Sequence, residues 1–297
     1  MFKKLIQFEV YYQLKQRAFP IFAILFLALG VFVGSQGFAP TGVNFNAVYQ
    51  VYFQTSILTL GSVFITMFFA ISAMLRDKQH NMESLIYSSS IKKSHYFWSR
   101  FLGTFIFSVL AFSPFLIGYF LGISTSNLDP VRIADFQLMA YVQPWLYIVI
   151  PNIFICSTII FSVSTITKNN TATYVSAVFI YMLYFVSSIF LNSPLMAQAV
   201  PASPESMALA ALADPFGIAA FFEQTQYWTP FQKNTQLLSF TGLFLKNRLI
   251  WILVSFGSLL VTYRLFSFRK ITKKVKKAPK YKINKQLVFA YKPIKAF

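Results

Sequence analysis

Catalysis and metal binding need ionisable or nucleophilic side chains gathered at workable spacing. This chain of 297 residues holds eight Asp/Glu, two His and one Cys. The histidines, His80 and His95, share one polar segment with no cysteine near them, a pattern that suits solvated loop residues better than metal ligands. Cys156 stands alone in an apolar run, so neither a disulfide framework nor a redox compartment can be read from it. The sequence contains no H-E-x-x-H, no G-x-S-x-G and no G-x-x-x-x-G-K-[ST]. It therefore lacks the zinc-binding helix, the nucleophile elbow and the loop that cradles nucleotide phosphates. No two carboxylates fall inside one apolar run. The expectation is a protein that is not an enzyme, with no catalytic residue, no metal site and no cofactor of its own.

The elements that position these residues are mostly apolar. Hydrophobic residues make up 56% of the chain, aromatic residues 19% and charged residues 11%, against about 25% charged in soluble domains. A helix needs about 20 mainly apolar residues to cross hydrocarbon. Six runs qualify, at 19–38, 57–75 (from Val51 at the earliest), 101–123, 145–166, 173–191 and 249–266. The predicted fold is all-α, a polytopic membrane protein with six transmembrane helices. With both ends placed in the cytoplasm, every Lys and Arg except Arg132, Lys233, Lys246 and Arg248 falls on the inner side, as the positive-inside rule requires. A net charge of +18 would point to nucleic acid in a soluble protein. Here it is loop and tail charge, so the lipid bilayer is the expected partner and nucleic acid is not.

Three divisions follow. Residues 1–17 carry Phe2, Ile6, Val10 and Leu14 at four-residue intervals among Lys3, Lys4, Lys15 and Arg17, which predicts an amphipathic helix lying along the membrane interface and orienting the first span. Residues 18–266 form the six-helix membrane domain. Residues 267–297 form a basic cytoplasmic tail with eleven Lys/Arg and no acid, each cation worth about 1 kcal/mol near an anionic leaflet. No cleavable signal peptide is read in the first apolar run. The segment 136–142 is apolar enough for the interface. Between spans five and six, 207–212 and 216–222 are short apolar runs split by Asp214-Pro215. They predict short helices, either dipping into the outer leaflet or packed as an external cap.

Within the spans Arg264 is the one ionisable group expected, near enough to the inner end to snorkel. Asn152, Ser157, Thr158, Ser164 and Thr165 give the fourth span its polar content. Such residues can line a pathway, but more often bond to neighbouring helices or to their own backbone. Spans without a coupling carboxylate, Lys or His, in a chain without a nucleotide site, imply energy supplied by another subunit.

The most specific stretch follows the second span. It runs Arg76-Asp77-Lys78-Gln-His-Asn-Met-Glu83-Ser-Leu85-Ile86-Tyr87-Ser-Ser-Ser-Ile-Lys92-Lys93, then reaches Tyr96 and Arg100. It resembles the intracellular loop of the permease subunits of ABC type-2 (exporter-type) transporters. In that family a charged pair leads to a short helix with a Glu-x-Leu core, a small-residue turn and a basic start to the next span. Glu83-Ser-Leu85, the Ser88-Ser89-Ser90 turn and Arg100 match that pattern, and the resemblance extends over the six-span topology. More narrowly, Ala213-Asp-Pro-Phe-Gly217, Tyr227-Trp228-Thr-Pro and Asn247-Arg248 with Trp251 resemble a bacterial subgroup. Its longer members continue into a second membrane half and a zinc-aminopeptidase-like domain. This chain has neither, as expected of a first half or of a short stand-alone paralogue.

The resemblance implies a permease half in the bacterial cytoplasmic (inner) membrane, forming a pathway as a homodimer or with a second permease half. ATP would be bound by a separate subunit, which the loop 76–95 would contact. Leu85, Ile86 and Tyr87 would offer the apolar face, with Arg76, Asp77, Lys78, Glu83, Lys92 and Lys93 around it. Two other readings stand beside this one: a non-transporting membrane scaffold or anchor of a larger complex, and a small channel or facilitator.

Overall fold

A backbone amide left unpaired in hydrocarbon is costly, so apolar runs of this length are expected to close their hydrogen bonds internally as helices. The protein is described here from a computed structural model covering residues 1–190 and 203–268. These residues form helices and connecting turns, and no strand occurs among them. Six stretches are long and apolar enough to cross a membrane: Ala18–Ser35, Val48–Met74, Lys93–Thr125, Leu138–Thr167, Asn170–Phe190 and Gly242–Leu265. The architecture is that of a multi-pass membrane protein. The predicted tail lies, from residue 269 on, outside the described residues, as do Leu191 of the predicted fifth span and the start of the segment after it.

In chain order, α1 (Phe2–Lys15) precedes α2 (Ala18–Ser35), the first stretch. The second is α3 (Val48–Leu58), a single 3-10 turn and α4 (Ser62–Met74). Two short helices follow, α5 (Arg76–Gln79) and α6 (Glu83–Ser88). The third stretch is α7 (Lys93–Phe112) and α8 (Pro114–Thr125). Pro114 ends the first of these because it has no N–H for the preceding turn, and it opens the second where none is needed. The fourth is α9 (Leu138–Pro144), a π-turn at Trp145–Val149 and α10 (Ile150–Thr167). Pro144 and Pro151 bracket that wide turn, which absorbs the ladder bonds they remove. Then come α11 (Asn170–Phe190), α12 (Pro204–Ala213), α13 (Ile218–Thr225), α14 (Pro230–Thr235) and α15 (Gly242–Leu265).

Glycine brings α2 and α8 backbone to backbone. A Cβ on Gly118 would collide with the Leu27 carbonyl oxygen and sit 3.1 Å from the Val31 nitrogen. One on Gly30 would lie 2.7 Å from the Tyr119 nitrogen, and one on Gly34 would lie 3.1 Å from that of Ile123. The pairing advances along both helices in the same direction, so they run parallel. Gly30-x3-Gly34 faces Gly118-x3-Gly122, the small-residue spacing that lets apolar helices associate in lipid by close van der Waals contact.

α10 is the central helix, packed on α4, α7, α11 and α15. Its polar side chains, except Thr167 at the end, are buried. Asn152 Nδ2 donates to Thr59 Oγ1 at 3.0 Å, and Thr165 Oγ1 donates to the Phe161 carbonyl at 2.6 Å. These two bond to a neighbouring helix and to their own backbone. Ser157, Thr158 and Ser164 are buried with no hydrogen-bond partner among the described residues.

The sixth stretch corrects an expectation. Its helix begins at Gly242 rather than 249, so Lys246 and Arg248, read as lying outside the spans, are inside it. Arg248 is fully buried. Its Nη1 donates to Asn152 Oδ1 at 2.7 Å, its Nε to Asn247 Oδ1 at 2.9 Å and its Nη2 to the Pro215 carbonyl at 3.3 Å. Asp214 supplies negative charge nearby, its carboxylate accepting from the Phe216 and Ala219 amides at 2.8 and 2.7 Å at the start of α13. Burial pushes the Asp214 carboxyl up, against those amides and the field of Arg248. Gly217 has φ +71°, and any Cβ there would strike the Arg248 guanidinium. α12 and α13 pack on each other and on α15, and Asn247 Nδ2 ties them down by donating to the Ala211 and Asp214 carbonyls, each at 2.7 Å. The two short apolar runs therefore form a packed pair of helices. At the same end Arg132 Nη2 donates to the Val43 carbonyl at 2.6 Å, and Gln143 reaches the Leu238 carbonyl at 2.7 Å.

α1 forms as expected but turns differently. Its buried residues are Glu9 and Gln13, packed towards α7, while Phe8, Tyr11 and Leu14 are exposed. The four-residue apolar repeat does not predict this orientation, because buried charge on α4–α7 draws the polar face inward.

Candidate partner-docking site at the basic end

Four charged side chains meet beneath the loop that joins α4 to α7. Glu9 on α1 pairs with Arg76 on α5 and, at 3.0 Å, with Arg100 on α7. Asp77 pairs with Arg100 at 2.6 Å and with Arg76 at 3.6 Å, and accepts from the Tyr96 hydroxyl at 2.6 Å. Each of the four residues is at least nine-tenths buried. Two carboxylates and two guanidiniums leave no net formal charge, the condition under which burial of ions is tolerated. Burial pushes Glu9 up to about 7, opposed by Arg76 and reinforced by Asp77. Burial also raises Asp77, against the Tyr96 hydrogen bond and Arg76. Arg76 stacks over the Tyr12 ring at 4.1 Å, adding a cation–π contact to α1. The quartet joins α1, α5 and α7 into one mount.

On this mount sits α6, a helix of six residues with none buried. Leu85 is 63% exposed and Met82 just before it 47%. Two ties hold α6 from the side of the α10–α11 turn. Lys168 Nζ donates to Glu83 Oε1 at 3.2 Å and to the Tyr87 hydroxyl at 2.9 Å. Lys78 Nζ donates to the Lys168 carbonyl at 2.7 Å. Burial would lower the Lys168 ammonium pKa, but Tyr87 and Glu83 outweigh it, and the net shift is upward.

Neither a protein-family model nor a curated protein matches this chain.

The nine residues expected to face a partner divide into two groups. Arg76 and Asp77 are turned inward into the quartet, which revises their expected place at a contact surface. Lys93 is half-buried, donates to the Arg264 carbonyl at 3.4 Å and lies over the Tyr263 ring. Lys78, Glu83 and Tyr87 are engaged with Lys168. Leu85 and Lys92 are exposed and Ile86 is partly exposed. His80 is exposed, and His95 packs against Phe2 with ring centroids 5.6 Å apart. Sequence reasoning missed Glu9 and Lys168, although each had a signal. Glu9 is the only acid before Asp77, and Lys168 is the only cation between Arg132 and Lys233. An isolated charge among apolar segments marks a partner elsewhere in the fold.

Proposed function

We propose that this chain is the permease half of an ATP-driven transporter of the ABC type-2 kind. It would span the bacterial cytoplasmic membrane with both ends inside, dimerise with itself or with a second permease half, and contact a separate ATP-binding subunit through residues 76–95. The observation that carries this reading is α6. A helix of six residues does not hold itself together in water, yet this one stands on a buried ionic mount with its apolar residue, Leu85, facing out. An element so placed suits a peg that enters a socket on another protein. The missing phosphate-binding loop and the six apolar helices agree with a division of labour in which the partner hydrolyses ATP.

Orientation is tested by single cysteines reacting with an impermeant thiol reagent from outside the cell. Thr41→Cys, Asn127→Cys and Gln236→Cys place the probe at exposed positions, and all three should label. Reaction of Thr41→Cys only after the cells are opened would overturn the scheme. Docking is tested by purification in mild detergent. A nucleotide-binding subunit should accompany the wild-type chain, and Leu85→Asp should lose it. An unpaired charge forced into an apolar contact costs several kcal/mol, a fall in affinity on the order of 100-fold. Undiminished co-purification of a normally inserted Leu85→Asp protein would rule this face out. A scaffold working through the opposite end would be indifferent to the change.

A further inference from the structure

The geometry points to Lys168 as the positioning residue that fixes α6 against the inner ends of the fourth and fifth helical stretches. This rests on the reading of α6 as the docking element. α6 buries nothing of its own, so its place is set by side-chain ties. Glu83 and Tyr87, one helical turn apart, both converge on the Lys168 ammonium, at 3.2 and 2.9 Å. Across the sequence, Tyr87 also meets the Tyr96 ring edge-on, with centroids 6.5 Å apart. The backbone of Lys168 is engaged as well, its carbonyl accepting from Lys78 at 2.7 Å. One residue thus holds both ends of the 76–88 loop, with its side chain at α6 and its carbonyl at α5.

The conformation of Lys168 supports a dedicated role. It ends α10 at φ 49° and ψ 38°, in the left-handed region where glycine is the usual occupant. A lysine there carries backbone strain, which persists only when surrounding contacts hold it. Its side chain is 27% exposed and that of Glu83 is 17%, so this ion pair is less screened than one in open water. The α10–α11 turn joins the central helix to α11, so a load applied to α6 passes through Lys168 into both. The quartet around Asp77 gives a separate route into α1 and α7. Lys168 is the link that extends the mount to the other side of the bundle.

The test is amide hydrogen exchange on the full chain in lipid nanodiscs, read over residues 83–90 and over the helices. Lys168→Met keeps the bulk and removes the charge. The α6 amides, among them the Ile86 N–H bonded to the Met82 carbonyl at 3.1 Å, should then exchange about tenfold faster, since bonds to charged groups contribute at that level. Exchange in α7 and α15 should be unchanged. Lys168→Arg should restore most of the protection, which a loss of packing alone would not predict. Glu83→Gln removes the tie from the other side without touching the left-handed residue, and serves if the Met variant does not fold. Wild-type protection of α6 in both Lys168→Met and Glu83→Gln would overturn the assignment, as would failure of Lys168→Arg to restore it. Leu85→Asp should leave α6 protection at the wild-type level. Undiminished co-purification of an ATP-binding subunit with Leu85→Asp would therefore refute the docking reading and leave this positioning role standing.

Discussion

Gly118→Val should give no monodisperse folded protein in mild detergent, while Gly257→Ala should be as stable as wild type or slightly more so. Both positions are glycines inside apolar helices, and their surroundings decide the difference. At Gly118 the first added carbon falls on the Leu27 carbonyl, with Val31 behind it. Backbone cannot give way as a flexible side chain can, so α2 and α8 must separate along the whole seam. Overpacking a core costs about 1–3 kcal/mol when side chains can adjust, and the loss here should exceed that range. At Gly257 nothing lies within 4 Å of the added carbon, and alanine is favoured in a helix by about 1 kcal/mol over glycine. Thermal unfolding followed by size-exclusion chromatography measures both. A stable Gly118→Val protein would mean that the two helices are not in backbone contact.

The second large effect is expected at Arg248. Arg248→Met should lower the stability of the membrane domain by about 3–5 kcal/mol, the range seen when one member of a buried charge pair is removed. It would strand the Asn152 and Asn247 side-chain oxygens and remove the positive field that stabilises the buried Asp214 carboxylate. Arg248→Lys should recover only part of the loss, because one ammonium cannot reproduce a planar fork spread over Asn152, Asn247 and Pro215. Arg248→Met combined with Asp214→Asn should be less unstable than the sum of the two single changes, since the residues share one network. Strict additivity in that cycle would show that Asp214 and Arg248 act independently.

The two clusters show how far the sequence could be read. Six helical stretches were visible because each carries enough apolar residues, and that property is local. The short helices around Asp214-Pro215 were visible for the same reason. Arg248 was not, because a hydropathy window ends at the first cation and contains no record of Asn152, 96 residues earlier, whose oxygen receives it. The same limit applied at the basic end. The motif around Glu83 and Leu85 marked a short helix, and α6 forms where the Glu-x-Leu core stands. Arg76 and Asp77 looked like surface charge because their partners, Glu9 and Arg100, come from other helices. The orientation of α1 was lost likewise, since its buried face is chosen by those arginines rather than by its own apolar repeat. Pairings between distant residues decided each of these cases.

The glycine seam also has a consequence for how the molecule is made. Gly30 emerges from the ribosome 88 residues before Gly118, an interval on the order of ten seconds at usual translation rates. During that time the face of α2 that carries Gly30 and Gly34 lacks its α8 partner. Lipid must cover that bare groove until α8 arrives beside it. Assembly of this pair is therefore a lateral event within the bilayer that follows insertion. A competing small-faced helix in the same membrane could intercept α2 while it waits.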